Sequence, residues 1–128
     1  MISLENILKI IDLAKECSLC AMSHFKDLDN IEVNYKEDQS PLTRADIEVN
    51  KLAVNGLKQL FPEINIVSEE FKQSQILQEN QKIFWLVDPI DGTKEFINKS
   101  PNFTVNFALI KNNLPIFGLI AQPFTDTI

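Results

Sequence analysis

Tryptophan, tyrosine and histidine each occur once in this chain of 128 residues, cysteine occurs twice, and lysine and arginine together number 12 against 18 acids. The basic residues form no block, and the net charge is −6. Nucleic acids are held by clustered cations at their phosphates, so a nucleic-acid polymer is excluded as a partner. No apolar stretch reaches the length of a membrane span, and Met1-Ile2-Ser3-Leu4-Glu5 has no basic region. The expected location is therefore the cytoplasm, with at most a peripheral place at the inner face of the membrane. G-x-x-x-x-G-K-[ST] is absent, which removes a P-loop. Alternating acids closed by a glutamate at the twelfth position are absent too, which removes an EF-hand.

The two cysteines, Cys17 and Cys20, form a C-x-x-C. They lie in a helical pattern and not after a strand, and no second cysteine pair or nearby histidine is read as completing a zinc site. They are taken as small core or boundary residues of a helix. His24, with no nucleophilic cysteine pattern around it, is read as a helix-end or surface residue.

What is there reads as one domain, with no internal repeat, no clear linker and 45% hydrophobic residues for a core. Ser3 can cap a helix running to about Phe25, with Leu4, Ile7, Leu8, Ile11, Ala14 and Leu19 at helical spacing. Ile31 to Tyr35 suggests a short strand, and Lys36 to Pro41 a polar loop. A second helix is predicted from near Thr43 to before Pro62, with Val49, Leu52, Ala53, Gly56, Leu57 and Leu60 on one side. Ile64 to Val67 and Ile83 to Val87 read as strands, separated by a Gln- and Asn-rich surface excursion from Gln73 to Lys82. Phe103 to Ile110 alternates as a strand, Asn112-Asn113 turns, and Ile116 to Ala121 returns, with Gly118 marking a bulge or close approach. Two helices followed by mostly hairpin-connected strands predict an α+β fold with a mostly antiparallel sheet.

The most informative segment is Asp88-Pro89-Ile90-Asp91-Gly92-Thr93, directly after the apolar run that holds Trp85. A buried strand is expected to run out there, because Pro89 cannot donate to a ladder and pushes Asp88 towards an extended conformation. Two carboxylates, a hydroxyl and a glycine thus gather at a strand end. Asp-Gly alone would be an ordinary turn, but the hexapeptide as a whole is specific. Glu69 follows the preceding predicted strand. If the two strands run side by side, Glu69, Asp88 and Asp91 converge, and carboxylate oxygens with backbone carbonyls are what Mg²⁺ prefers. The two aspartates stand three residues apart. Haloacid-dehalogenase-like phosphatases place theirs two apart, so that mechanism does not fit the alternation of a strand. Taken singly, Glu69-Glu70 would be a solvated face, Asp46 a first-turn acid on the helix dipole and Lys36 a surface lysine.

Trp85-Leu86-Val87-Asp88-Pro89-Ile90-Asp91-Gly92-Thr93 resembles the first signature of the inositol monophosphatase superfamily. Lys94-Glu95-Phe96 resembles its CysQ-type branch, the 3′(2′),5′-bisphosphate nucleotidases. Ser40 to Asp46, Ser68-Glu69-Glu70 and Phe103 to Ile110 extend the likeness over nearly the whole chain. The resemblance implies the helix-and-sheet N-terminal half of a layered αβαβα phosphatase fold. It implies Mg²⁺ bound by Glu69, Asp88, the Ile90 carbonyl and Asp91. Thr93 and Asp46 would hold and activate the attacking water, and the Gly92 and Thr93 amides would meet the substrate phosphate. Lys36 and Asp38 match a loop near the site.

The family's second signature, a Trp-Asp supplying another metal-binding aspartate, has no counterpart, since Trp85 already belongs to the first. The expectation is thus a truncated or split member, the metal-binding half of a phosphatase domain whose C-terminal half is absent. The activity implied is hydrolysis of adenosine 3′,5′-bisphosphate to AMP and phosphate. An inositol or sugar phosphate is the alternative substrate, and a metal-binding remnant without turnover the alternative of another class. Expected partners are a small phosphorylated substrate and either a complementary C-terminal fragment or a second copy of the chain.

Overall fold

In the computed structural model, which describes residues 2–37, 41–69 and 82–128, the Ser3 hydroxyl accepts from the Asn6 amide at 3.1 Å and starts helix α1 (Leu4–Phe25). Two long helices and a four-stranded sheet form the α+β architecture that the sequence predicts. The face of α1 that packs is Ile10, Leu13, Ala14, Cys17, Ser18 and Ala21. Of the predicted stripe, Ala14 is fully buried, whereas Leu4, Leu8 and Leu19 are more than half exposed. The reason is contact with the next long helix, which requires small residues. Ala14, Cys17 and Ala21 let it come close, and leucines would hold it away.

That helix, α2 (Arg44–Leu60), buries Ala45, Val49, Ala53 and Leu57. Leu52, expected on this side, is partly exposed. Gly56 meets α1 so closely that a β-carbon there would lie 2.4 Å from Leu13 Cδ1. A glycine inside a helix costs backbone entropy, and here the close approach requires it.

Before α2, the short strands β1 (Val33–Tyr35) and β2 (Pro41–Thr43) pair antiparallel. Pro41 thus begins a strand where the sequence suggested a loop. The main sheet has the order β3, β4, β5, β6, from β3 (Asn65–Ser68), β4 (Ile83–Asp91), β5 (Thr104–Lys111) and β6 (Leu114–Ala121). β3 runs parallel to β4, and the other pairs are antiparallel. A short helix, α3 (Thr93–Ile97), joins β4 to β5. Asn112 and Asn113 both have positive φ, the twist that a two-residue hairpin turn demands.

Both long helices cover one sheet face, α2 over β3 and β4, α1 against β5 and β6. Trp85, Val87, Val105, Phe107, Leu109 and Leu119 point into this core. Trp85 is fully buried between Phe61 and Phe117, with ring centroids 5.3 and 6.0 Å away. Phe25, Phe96 and Phe103 form a second aromatic group under α3.

Three expectations are corrected here. The strand does not run out at Asp88, because β4 continues through the hexapeptide to Asp91. Pro89 is tolerated because β3 pairs only as far as Val87, and on the other side the β5 register shifts between Asp88 and Asp91. Second, Gly118 marks neither a bulge nor a close approach: it pairs in register with Ala108 and faces open space. The irregularity lies on β6 between Pro115 and Phe117, opposite Leu109 and Ile110. Third, a histidine does lie near the C-x-x-C: His24 follows Cys20 by one helical turn and bonds Glu48 of α2 at 2.6 Å. The cysteines themselves are a core residue (Cys17) and a boundary residue (Cys20). Burial, aided by Cys20 and Glu16, pushes the Cys17 thiol up to about 12, so the pair holds no reactive thiolate there. Among the described residues no helix is long and apolar enough to cross a membrane. Asp38, Ser40, Glu70 and the predicted excursion, save Lys82, lie outside the described residues.

Candidate active site

The site is built where two parallel strands end. The Glu69 amide donates to the Val87 carbonyl at 2.9 Å, continuing the β3–β4 ladder by one step and bringing Glu69 beside Asp88. Between Asp88 and Asp91, β4 spends one residue more than β5, since Asp88 faces Asn106 and Asp91 faces Thr104. That bulge re-aims the second aspartate. Glu69, Asp88 and Asp91 consequently line one cleft of about 720 Å³, with Asn106 beside them and Leu86, Ala108, Gly118 and Ile120 along its floor. The three carboxylates are not packed as a single-ion cage. Among the described residues, the group with three donor atoms all within 4.8 Å of one another is a different one, Cys20, His24 and Glu48.

Beside the cleft, the start of α2 presents a second constellation. Thr43 and Asp46 form a capping box, satisfying amides that a helix start leaves without partners. One oxygen of the fully buried Asp46, Oδ2, accepts from the Thr43 amide at 2.8 Å and from the Thr43 hydroxyl at 2.6 Å. Its Oδ1 accepts from the Thr93 hydroxyl at 3.0 Å. Thr93 Oγ1 also lies 3.3 Å from the Ile90 carbonyl, so its single proton has two acceptors, the carboxylate being the nearer. An aspartate that caps its own helix is thereby the group that orients a hydroxyl on another segment.

Gly92 makes this meeting possible. Its φ of +93° turns the chain from β4 into α3, and a β-carbon there would lie 2.9 Å from the Asn102 carbonyl oxygen. Both the conformation and the space require glycine. The Gly92 carbonyl receives the Phe96 amide at 2.9 Å and closes the first turn of α3.

The structure brings Glu69, Asp88 and Asp91 to one cleft and joins Asp46 to Thr93. Lys36 directly follows β1. Asn106 was missed from the sequence: its Nδ2 donates to Asp91 Oδ2 at 3.3 Å. The alternation of β5 already set Asn106 on the face opposite the core, but its neighbour there depends on strand register. Thr43 was seen only as a helix start, although Thr43-x-x-Asp46 is a capping pattern readable in the sequence.

The arrangement of these helices and this sheet is shared with known proteins. The chain belongs to the inositol monophosphatase family, whose profile matches residues 3–128. It is 41% identical over 120 residues to the 3′(2′),5′-bisphosphate nucleotidase CysQ of Buchnera aphidicola, covering 94% of this chain and 45% of the relative. It is 36% identical to CysQ of Escherichia coli strain K12, again over 94% of this chain and 49% of the relative. Among solved structures, the extragenic suppressor protein suhB from Bartonella henselae matches with a TM-score of 0.84 at 25% identity, over 94% of this chain and 46% of that one. CysQ from Bacteroides thetaiotaomicron matches with a TM-score of 0.67 at 33% identity, over 93% of this chain and 42% of that one. The chain spans about half the length of the relatives it matches.

Proposed function

We propose that this chain provides the metal-binding half of a Mg²⁺-dependent phosphomonoesterase of the CysQ type, which hydrolyses adenosine 3′,5′-bisphosphate to AMP and phosphate. The observation that carries this reading is the convergence of Glu69, Asp88 and Asp91 on one cleft beside the Thr93–Asp46 pair. The CysQ branch is favoured over an inositol or sugar phosphatase by the 41% and 36% identity to two CysQ proteins. Lys94-Glu95-Phe96 supports the same branch.

Glu69, Asp88, Asp91 and the Ile90 carbonyl offer oxygen donors only, the chemistry of a hard divalent cation. These residues would hold the Mg²⁺ on which the reaction depends. Bound Mg²⁺ would neutralise the phosphoryl oxygens and make a water acidic enough to serve as nucleophile near neutral pH. The chain's own part is to position that water. The Thr93 hydroxyl donates its hydrogen bond to Asp46 Oδ1, so the Oγ1 lone pairs remain to accept a hydrogen bond from the water and aim its oxygen at phosphorus. Asn106 holds Asp91 by its amide, and the Gly92 and Thr93 amides are assigned to the phosphate.

Turnover is expected to need the part of the relatives' length that this chain does not span, supplied within one polypeptide or separately. The deciding assay measures phosphate release from adenosine 3′,5′-bisphosphate by the purified chain, with and without the remaining half of a CysQ relative. The reading expects release only in the complemented sample, dependent on Mg²⁺ and lost in Asp88→Asn. Full activity of the chain alone contradicts the need for a second half. No release from the complemented sample favours a metal-binding remnant, and preference for an inositol phosphate moves the substrate class.

The partner we propose is such a complementary half or, without one, a second copy. β6 is an edge of the described sheet and carries the half or more exposed Leu114, Ile116 and Ile120, and open apolar edges are templates for association. Sedimentation of the chain alone at about 10–100 μM is expected to show self-association that Ile120→Lys reduces. A monomer with a cooperative thermal transition contradicts it.

A further inference from the structure

We propose that Cys20, His24 and Glu48 form a binding site for a thiophilic divalent ion of the zinc class, separate from the acidic cleft. One donor atom from each, the Cys20 thiol sulfur, a ring nitrogen of His24 and a carboxylate oxygen of Glu48, lie within 4.8 Å of one another. The spacing has a simple origin. Cys20 and His24 stand four residues apart on α1, so they share a face one turn apart, and Glu48 comes from the adjoining α2. A helix pair that packs through small residues brings this third ligand into reach.

The donor set separates this site chemically from the other. Sulfur and imidazole suit Zn²⁺ and similar ions, whereas Mg²⁺ prefers oxygens alone. Thiolate and carboxylate together balance the charge of a divalent ion. Glu48 is already fixed in position. Its Oε1 accepts from Arg44 Nε at 2.8 Å, leaving Oε2, which faces His24 at 2.6 Å, as the ligand. A side chain that fixes a ligand from behind is the usual support of a metal site. The groups are reachable, with 19% of the His24 and 35% of the Glu48 side chain exposed. His24 and Glu48 border an open cleft of about 520 Å³ lined also by Asp27, Asn34 and Arg44, which leaves room for a water as a fourth ligand.

Without an ion, burial and then the neighbouring Glu48 raise the Cys20 thiol above its ordinary value, so it holds its proton. Binding forms the sulfur–metal bond and releases that proton to solvent. The bound ion would tie the last turn of α1 to the first turns of α2, two residues from Asp46. Occupancy would therefore stiffen the helix start that orients Thr93, without entering the cleft itself.

Cobalt(II) reports on such a site directly, because a cysteine thiolate on Co²⁺ gives a charge-transfer absorption in the near ultraviolet. Titration of the reduced chain is expected to give this band at one ion per chain, displaced by Zn²⁺. Cys20→Ser should abolish the band, and His24→Gln or Glu48→Gln should weaken Co²⁺ affinity on the order of a hundredfold, no less than loss of a supporting partner costs elsewhere. Asp88→Asn should leave band and affinity unchanged. Circular dichroism of each variant establishes that it is folded, and Zn²⁺ should raise the melting temperature of the wild type but not of Cys20→Ser. Absence of the band, its persistence in Cys20→Ser, or equal affinity in both the His24 and Glu48 variants overturns the site.

Discussion

Replacing Trp85 with alanine is expected to cost about 3–5 kcal/mol of folding stability, the largest single effect in the core. The ring is fully buried, lies against Phe61 and Phe117, and sits on β4 immediately upstream of the hexapeptide. Alanine would remove these contacts and leave a cavity that the sheet and α2 cannot close. Folded domains hold only about 5–15 kcal/mol in total, so the variant should melt about 10–20 °C lower or fail to fold. Trp85→Phe should cost much less. It keeps most of the ring contact and removes an indole Nε1 that is buried without a hydrogen-bond partner among the described residues. Denaturant unfolding of the three proteins checks this, and a loss below about 1 kcal/mol for alanine contradicts the central position given to the ring.

The second large effect lies at the Asp46–Thr93 pair. Thr93→Ala should lower phosphate release by the complemented protein about 10²–10⁴-fold, the usual range for removing a group that handles a proton. Mg²⁺ affinity should be unchanged, because Thr93 belongs to the water and not to the ion. Thr93→Ser should restore most of the rate. Asp46→Asn should lose turnover similarly and also about 1–3 kcal/mol of stability, since an amide turns one acceptor into a donor facing Thr43 or Thr93. Steady-state rates beside calorimetric Mg²⁺ affinities separate the roles. A Thr93→Ala protein that turns over normally contradicts the assignment of the water.

Much of this was legible because the informative segments are local. Ser3 and Thr43 announce helix starts through capping, Asn112-Asn113 announces a hairpin, and the alternation of Phe103 to Ile110 announces a strand. Glu69 and Asp88 were legible as acids closing apolar strand runs, whereas the joint ligand role of Glu69, Asp88 and Asp91 was implied by the resemblance. What could not be read depends on partners distant in sequence. Leu4, Leu8 and Leu19 fit a helical stripe as well as the residues that pack, and only the close approach of α2 decides between them. The fate of Pro89 depends on how far β3 extends. Asn106 meets Asp91 only through the β4–β5 register. Cys20 and His24 were visible as helical neighbours, but the third member, Glu48, arrives by packing of a different helix.

The central claim is that Glu69, Asp88 and Asp91 together hold Mg²⁺ in one cleft, and titration calorimetry of the purified chain tests it most directly. Performed in a Cys20→Ser background, so that the cysteine site cannot contribute, it is expected to show weak Mg²⁺ binding that disappears in Asp88→Asn and falls in Glu69→Gln and Asp91→Asn. Equal Mg²⁺ binding by the parent and by Asp88→Asn would contradict it.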